Sequence, residues 1–319
     1  MANIAVQIVT YNSAEDINNC LNAVCSQTYP IENIIIVDNN SKDNIKDIIT
    51  KYPHVQFVQN MINNGFVGGH NQALTYTNTD YVLVLNPDVI LEKDYIKNIV
   101  EYMVQHKNIG AATGKLYRDF KSQIIDSTGI DIKKNRRAVD RGSGEVDKRQ
   151  YDTASDVFGI SGAAAVYKRE MIDMISDEGQ FFDESFFAYK EDVDVSWRAR
   201  LAGWEICFVP TAIAQHERGW KGNESRKHIS LRTRKHSYIN RHYYIIKNDN
   251  LLYFFLHFPA IFAYEMLCLV YMLFKEPQLF SAYKLLFKEY KALKSKRRSI
   301  KLKRKVPSAQ IYKYFKGIW

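Results

Sequence analysis

Five carboxylates stand among bulky aromatic residues in the stretch Phe182-Asp183-Glu184-Ser185-Phe186-Phe187-Ala188-Tyr189-Lys190-Glu191-Asp192-Val193-Asp194. Carboxylates in apolar company take up acid–base chemistry more readily than those on a solvated face, because desolvation shifts their pKa. From Tyr189 onward the spacing is helical, with Val193 and Trp197 four apart and Asp194 four before Arg198. Glu191 and Asp192 therefore fall in the first turn, where one of them points out of the helix end into a cleft. Acidic residues also favour helix N-termini for dipole reasons alone, so the spacing by itself leaves a purely structural role open.

The elements that must position these groups are legible as apolar runs bounded by polar turns at 4–9, 34–37, 55–58 and 81–85. Helix-like stretches at 13–26, 42–51 and 69–76 lie between them, an alternation that predicts an α/β fold with a mostly parallel central sheet flanked by helices. Ligands in such sheets sit beyond the carboxyl ends of the strands. Here those ends read Thr10-Tyr11-Asn12, Asp38-Asn39-Asn40, Asn63-Asn64-Gly65 and Asn86-Pro87-Asp88. Asp38 can accept a hydrogen bond from the imide N–H of uracil or thymine, with Thr10 and Tyr11 offering hydroxyls and an aromatic face. In Asn63-Asn64-Gly65-Phe66-Val67-Gly68-Gly69-His70-Asn71 the glycines let backbone approach a ribose or diphosphate, and the following helix offers N–H groups to phosphate. Asn64, Gly65 and Asn71 are the donor contacts expected there, alongside Asn12 and Asn86. Asp88 is placed to bind a hard divalent cation bridging a diphosphate, although Asn-Pro-Asp is also an ordinary turn tripeptide. His216, after another strand-like run, completes that metal site. A nicotinamide enzyme is disfavoured, because Thr10-Tyr11-Asn12-Ser13 stands where a dinucleotide fold needs G-x-G-x-x-G.

Residues 115–156, with Arg136-Arg137 and Arg141-Gly142-Ser143-Gly144, read as hairpins and a mobile loop, and regular structure resumes at 158–167 and 205–209. Cys20, Cys25, Cys207 and Cys268 lack metal-like spacing and read as reduced thiols. The chain opens directly on a strand-like run, so no secretory signal is expected. Its net charge of +9 is concentrated: residues 284–305 hold eleven Lys or Arg against one Glu, and 33 basic residues face 34 acidic ones elsewhere. The body is nearly neutral, and no nucleic-acid partner is expected.

Residues 251–274 are long and apolar enough to span a bilayer. Pro259 and Glu265 disfavour a simple span, since a charge at the bilayer centre costs about 2.5 kcal/mol or more. Two short interfacial helices fit better. Beyond them Tyr283, Leu286, Tyr290 and Leu293 share one face of a basic amphipathic helix suited to anionic lipid, or alternatively packed on the body with its basic face solvated. These features divide the chain into a catalytic domain at 1–245 and a membrane-associating helical region at 246–319.

Taken together, Val9-Thr10-Tyr11-Asn12-Ser13, Val37-Asp38-Asn39-Asn40-Ser41, the 63–71 loop, Leu85-Asn86-Pro87-Asp88, Ser161-Gly162-Ala163-Ala164, Phe182-Asp183-Glu184, Glu191-Asp192-Val193-Asp194, Ala202-Gly203-Trp204 and His216 resemble the family 2 glycosyltransferases of GT-A fold. The likeness is greatest to their bacterial rhamnosyltransferase-like branch and covers about the first 220 residues. It implies inverting transfer of a sugar from a nucleoside diphosphate donor. Asp192 matches the general base, Asp38 the nucleobase contact, Asp88 a ligand of Mg²⁺ or Mn²⁺, and His216 a further metal or diphosphate contact. Asn86 stands where the family has the first aspartate of its Asp-x-Asp element, which leaves a neutral ligand there. Glu191 and Trp204 are assigned to sugar or acceptor hydroxyls, and Arg198 to an ion pair or the diphosphate. The expected donor is dTDP-rhamnose or a UDP-linked sugar. The expected acceptor is a polyprenyl-diphosphate-linked glycan, met on an anionic membrane surface at the cytoplasmic face. A nucleotidyltransferase is disfavoured by the lack of a glycine-rich basic loop after the first strand, and a catalytically silent membrane scaffold is the rival from another class.

Overall fold

A largely apolar run needs cover on both faces when it forms a strand, and the first strand, β1 (Ile4–Thr10), is buried along its whole length, Gln7 included. The computed structural model describes residues 1–217 and 229–319. Among them the remaining strands are β2 (Asn33–Asp38), β3 (Val55–Gln59), β4 (Tyr81–Leu85), β5 (Val89–Leu91), β6 (Ile109–Tyr117), β7 (Ile125–Ser127), β8 (Ile130–Ile132), β9 (Ala138–Asp140), β10 (Ser155–Asp156), β11 (Ala164–Lys168) and β12 (Glu205–His216). The helices are α1 (Ile17–Cys25), α2 (Ile45–Ile49), α3 (Gly65–Leu74), α4 (Tyr95–Gln105), α5 (Arg169–Ile175), α6 (Glu191–Leu201), α7 (Leu231–Asn248), α8 (Leu251–Leu256), α9 (Phe258–Lys275), α10 (Ala282–Lys303) and α11 (Ser308–Tyr312).

The main sheet runs β10-β12-β6-β11-β4-β1-β2-β3, with β5 on β12 and β7 on β6, and β8 and β9 form a separate hairpin. β1 to β4 are parallel, β6 and β12 are parallel, and β11 is antiparallel between β4 and β6. Thr10, Asp38, Leu85 and His216 therefore end at one edge of the sheet. This is the expected α/β class. α3 starts four residues earlier than expected because Gly65, at φ +77°, turns directly into it. The 115–156 stretch is tied down, with Arg141 donating to the Thr128 carbonyl and the Ser155 hydroxyl and Arg136 fully buried.

The C-terminal region departs from expectation. The boundary expected after residue 245 lies inside α7, and Leu293, Ile300, Ile311, Tyr312 and Phe315 join Phe158 and Trp197 in one core. Lys296 pairs with Asp183, Arg297 donates to the Ile246 and Asp249 carbonyls, and Tyr283 meets the Tyr238 hydroxyl at 2.7 Å. The face of α10 expected to meet lipid is thus mostly turned inward, with Tyr290 left exposed.

α8 and α9 are the two helices expected from 251–274, broken at His257 with Pro259 in the first turn of α9. Glu265, the interrupting acid, faces α7: it pairs with Arg241 and lies 3.3 Å from His242 Nε2. Burial alone would raise its pKa, but these two partners hold it down at about 2. The opposite face leaves Phe262, Leu267, Leu273 and Phe274 exposed by 52–75%. Among the described residues α9 alone is long and apolar enough to cross a membrane, at mean hydropathy 1.5.

Candidate active site

The β1–β2 register sets Thr10 beside Asp38. The Thr10 hydroxyl donates to Asp38 Oδ1 at 3.0 Å, and the Ser41 N–H donates to Oδ2 at 3.0 Å. Asp38 is fully buried, so its carboxylate also ties the two strand ends together. Tyr11 beside it is exposed, and Asn12, at φ +54°, takes the Lys42 N–H on Oδ1. Asn39, which sequence reasoning passed over, donates to the Gly65 carbonyl at 2.8 Å and so joins β2 to the start of α3.

The glycine-rich segment serves the chain's own packing. A Cβ at Gly65 would fall 2.3 Å from the Phe187 carbonyl oxygen, and one at Gly69 2.7 Å from the Val9 side chain. The Val67 N–H, near the start of α3, already donates to that Phe187 oxygen at 3.2 Å. Asn71 donates to the Phe182 carbonyl at 2.8 Å and accepts from the Phe182 N–H at 2.9 Å. Gly65 and Asn71 therefore hold the carboxylate-rich segment against α3, which corrects their assignment as donor contacts. Asn64 caps α3 with its N–H directed at Asn39 Oδ1.

At the next strand end, the Asn86 N–H donates to the Ala163 carbonyl at 2.8 Å, which fixes the turn carrying Asp88. β5 and β12 pair Val89 with His216, and His216 Nε2 comes within 3.5 Å of Asp88 Oδ1. His216 Nδ1 lies 2.8 Å from Asp126 Oδ2 on β7, a buried carboxylate that sequence reasoning missed. Its only local signal was an acid inside a short apolar strand. Burial would lower the imidazolium pKa, but Asp126 and Asp88 outweigh it and push it up to about 9. Asp88 Oδ1 is buried and accepts no hydrogen bond. A carboxylate oxygen with no hydrogen bond, 3.5 Å from an imidazole whose far nitrogen is held by a second carboxylate, fits a divalent cation that would take the place of the Nε2 proton. No set of three His, Cys, Asp or Glu side chains converges on one point among the described residues. The chain therefore offers Asp88 and His216, and ligand oxygens would complete the shell.

Glu191 and Asp192 open α6 as expected. Asp192 Oδ2 accepts from the Gly162 N–H at 3.2 Å and Oδ1 from the Val193 N–H at 2.8 Å. Burial pushes the Asp192 carboxyl up to about 6 against these two donors, and Asp140 on β9 adds to the rise. Burial, then the charge of Asp192, also raises Glu191, whose Oε2 is buried without a hydrogen bond. Gly162 and Ala163 adjoin, so two residues before β11 anchor the Asp192 carboxylate and the Asp88 turn together.

The neighbouring carboxylates have a different role. The Lys247 ammonium lies 2.6 Å from Asp183 and 2.8 Å from Asp194. Burial would raise Asp183, but Lys247 and Lys296 draw it well below the usual carboxylate range. Arg198 is buried, paired with Asp194 at 2.8 Å and bonded to the Ile175 and Phe181 carbonyls. This settles its two expected roles in favour of the ion pair and removes it from the diphosphate. Trp204 precedes β12 at the opposite end of the sheet, its Nε1 donating to Met174 Sδ, and so does not reach the sugar or acceptor.

The sequence profile described as "Glycosyl transferase family 2" matches residues 5–176. Among curated proteins, the poly-beta-1,6-N-acetyl-D-glucosamine synthase of Staphylococcus epidermidis is 26% identical over 215 residues, covering 66% of this chain and 48% of its own. The chain thus spans about half the length of the curated relatives it matches. Among solved structures, S. aureus TarS 1-349 with UDP superposes at TM-score 0.52 with 15% identity, covering 93% of this chain and 91% of that one. The mannosyltransferase PcManGT from Pyrobaculum calidifontis, with GDP-Man and Mn2+, superposes at TM-score 0.52 with 15% identity, covering 98% and 86%.

Proposed function

The chain belongs to glycosyl transferase family 2 and has the GT-A fold, and from that premise we propose that it moves a sugar, with inversion, from a nucleoside diphosphate donor to a hydroxyl of a membrane-associated, lipid-linked glycan. Asp192 takes the proton of the acceptor hydroxyl as that oxygen attacks the anomeric carbon. The new C–O bond forms on the face opposite the diphosphate, whose own C–O bond breaks, so configuration inverts in one displacement. Glu191, whose pKa burial raises, offers its carboxyl to a hydroxyl of the sugar or acceptor. A divalent cation, Mg²⁺ or Mn²⁺, held by Asp88 and His216 would supply positive charge to the departing diphosphate. Thr10, Tyr11, Asn12, Asp38, Asn64 and Asn86 border the nucleotide.

The observation that carries this reading is the shared anchor at Gly162-Ala163, which joins a carboxylate with a pKa near neutrality to the turn of the cation site. UDP-N-acetylglucosamine heads the donor series, because the curated relative is a poly-beta-1,6-N-acetyl-D-glucosamine synthase and the TarS neighbour holds UDP, although PcManGT holds GDP-Man. dTDP-rhamnose, to which the sequence motifs point, is the competing donor. Incubating the protein with Mn²⁺ and each sugar nucleotide, and reading nucleoside diphosphate release, is expected to single out one donor. Asp88→Ala should abolish the Mn²⁺ dependence of UDP affinity in calorimetry, and Asp126→Asn should weaken it about 10–100-fold through His216. UDP affinity indifferent to Mn²⁺ in the parent chain removes the cation site, and UDP binding without turnover of any donor favours the silent scaffold.

The membrane part rests on the apolar face that α8 and α9 leave exposed, since contiguous exposed apolar residues mark interaction surfaces. Because Glu265 holds the other face of α9 on α7, α9 lies on the cytoplasmic face of the bilayer rather than crossing it alone. The exposed lysines of α10 add attraction to anionic headgroups of about 1 kcal/mol each near the surface. The full chain should co-sediment with anionic vesicles and be only partly released by salt, whereas Leu267→Glu with Phe274→Glu should return it to the supernatant. A parent chain that stays in the supernatant at low salt ends this part of the reading.

A further inference from the structure

We propose that Asn240 is a positioning residue for Asp192, its buried carboxamide holding the left-handed segment from which α6 starts. The inference rests on the reading of Asp192 as general base. Phe187, Tyr189 and Lys190 have φ of +60°, +71° and +66°, three non-glycine residues of four in a region that L side chains rarely occupy. Such a run persists only where its surroundings over-determine it, and it often marks a functional site. Here the surroundings are chiefly one side chain. Asn240 Nδ2 donates to the carbonyls of Phe186 at 2.9 Å, Ala188 at 2.9 Å and Tyr189 at 2.7 Å. Asn240 is fully buried, and its bond to the Phe186 carbonyl is buried with it, while those to Ala188 and Tyr189 are part-buried.

A second tie comes from the same helix, where Lys190 Nζ donates to the Ser237 carbonyl. The Lys190 carbonyl then accepts the Asp194 N–H at 3.1 Å, the first bond of α6, with Asp192 inside that turn. On its other flank the segment is wedged by Phe187, whose oxygen takes the Val67 N–H. The position of the Asp192 carboxylate over the Gly162 N–H, a contact already 3.2 Å long, thus depends on three carbonyls converging on one amide. An Asp at 240 would set acceptors against acceptors. Alanine would leave the Ala188 and Tyr189 carbonyls without this donor and the Phe186 carbonyl with the Ala188 N–H, and the segment would relax toward ordinary φ values, carrying the first turn of α6 with it.

A residue that only stabilises the fold would, when lost, lower the melting temperature without altering the chemistry of the folded fraction. A positioning residue changes kcat and the pH at which Asp192 ionises, because the Gly162 N–H and burial together set that pH. The experiment uses the full chain, the sugar nucleotide it turns over and UDP as the binding probe. Asn240→Ala is expected to lower kcat about 10²-fold, as a displacement of about 1 Å does, with UDP affinity unchanged and the midpoint of the pH–rate profile moved. Asn240→Ser, which keeps one donor, should fall between the two and remains informative if the alanine variant does not fold. Thr79→Val removes a buried hydroxyl that donates to the Tyr81 carbonyl at 2.7 Å at the opposite end of the sheet, and should cost stability but not kcat. Asn240 variants that keep the parent kcat and pH midpoint overturn the proposal, as do variants in which kcat falls only in step with the melting temperature. Full turnover by Asp192→Asn would instead defeat the underlying reading of the base.

Discussion

Asp192→Asn is expected to keep the fold and the affinity for UDP while lowering turnover by about 10²–10⁴-fold, the range over which a positioned base contributes. The amide has the shape of the carboxylate, and its Oδ1 can still accept from the Val193 N–H. It cannot take a proton. Burial places the Asp192 carboxyl at about 6, so the base form is scarce below that pH and dominant above it. The parent rate should therefore rise with pH through about 6 and level off toward neutrality, and the residual rate of the variant should lose this limb. Stopped assays of nucleoside diphosphate release from pH 5 to 8 check both points. Turnover near the parent level, or the same acid limb in the variant, would take Asp192 out of the base role. Glu191→Gln provides the contrast, because burial raises the Glu191 pKa and so favours its uncharged form, which the amide resembles, and it should retain far more activity.

Asp192 was legible in the sequence because helix-start chemistry is local: two acids ahead of a run with four-residue spacing define both the turn and the side chain that leaves it. The same spacing foretold the Asp194–Arg198 ion pair. It did not show that this pair is closed off by Lys247, whose partners Asp183 and Asp194 lie 64 and 53 residues away. Asp126, 90 residues before His216, and Asn240, just over 50 after the segment it holds, were illegible for the same reason. Both act through contacts created by sheet order and helix packing, which no short-range pattern records. The glycines at 65 and 69 were legible as places of close approach, but the approaching group is Phe187 or Val9. A glycine reveals that something comes near and leaves open what it is. Trp204 misled for a related reason, since its nearness in sequence to α6 is undone by the length of that helix, which carries it to the far end of the sheet.

A chain ending at Ala282 should fail to fold, the reverse of what the charge distribution alone suggests. Residues 284–305 look detachable by charge, and their exposed lysines bear that out on one face of α10. The other face belongs to the core. The cut removes Leu293, Ile300, Ile311, Tyr312 and Phe315, all buried, and each large apolar side chain contributes about 1.5–3 kcal/mol by its burial. That loss is comparable with the whole stability of a domain, about 5–15 kcal/mol. It also uncovers Trp197, whose ring lies 5.1 Å from Phe315 and 6.4 Å from Tyr312. Arg136, fully buried with its guanidinium 5.0 Å from the Phe315 ring, would keep Asp249 but lose its aromatic cover. Asp183 would lose Lys296 and keep the charge of Lys247 with its Ser185 hydrogen bonds. Far-ultraviolet circular dichroism and limited proteolysis of the truncated chain decide the matter, and a cooperative melt near that of the full chain would mean that α10 and α11 are dispensable to the core. The contribution of the basic face is therefore to be measured by charge reversal at the exposed positions Lys288, Lys291, Lys294 and Arg298. Those substitutions should weaken vesicle binding, most strongly at low ionic strength where screening is least, and leave the melt nearly unchanged.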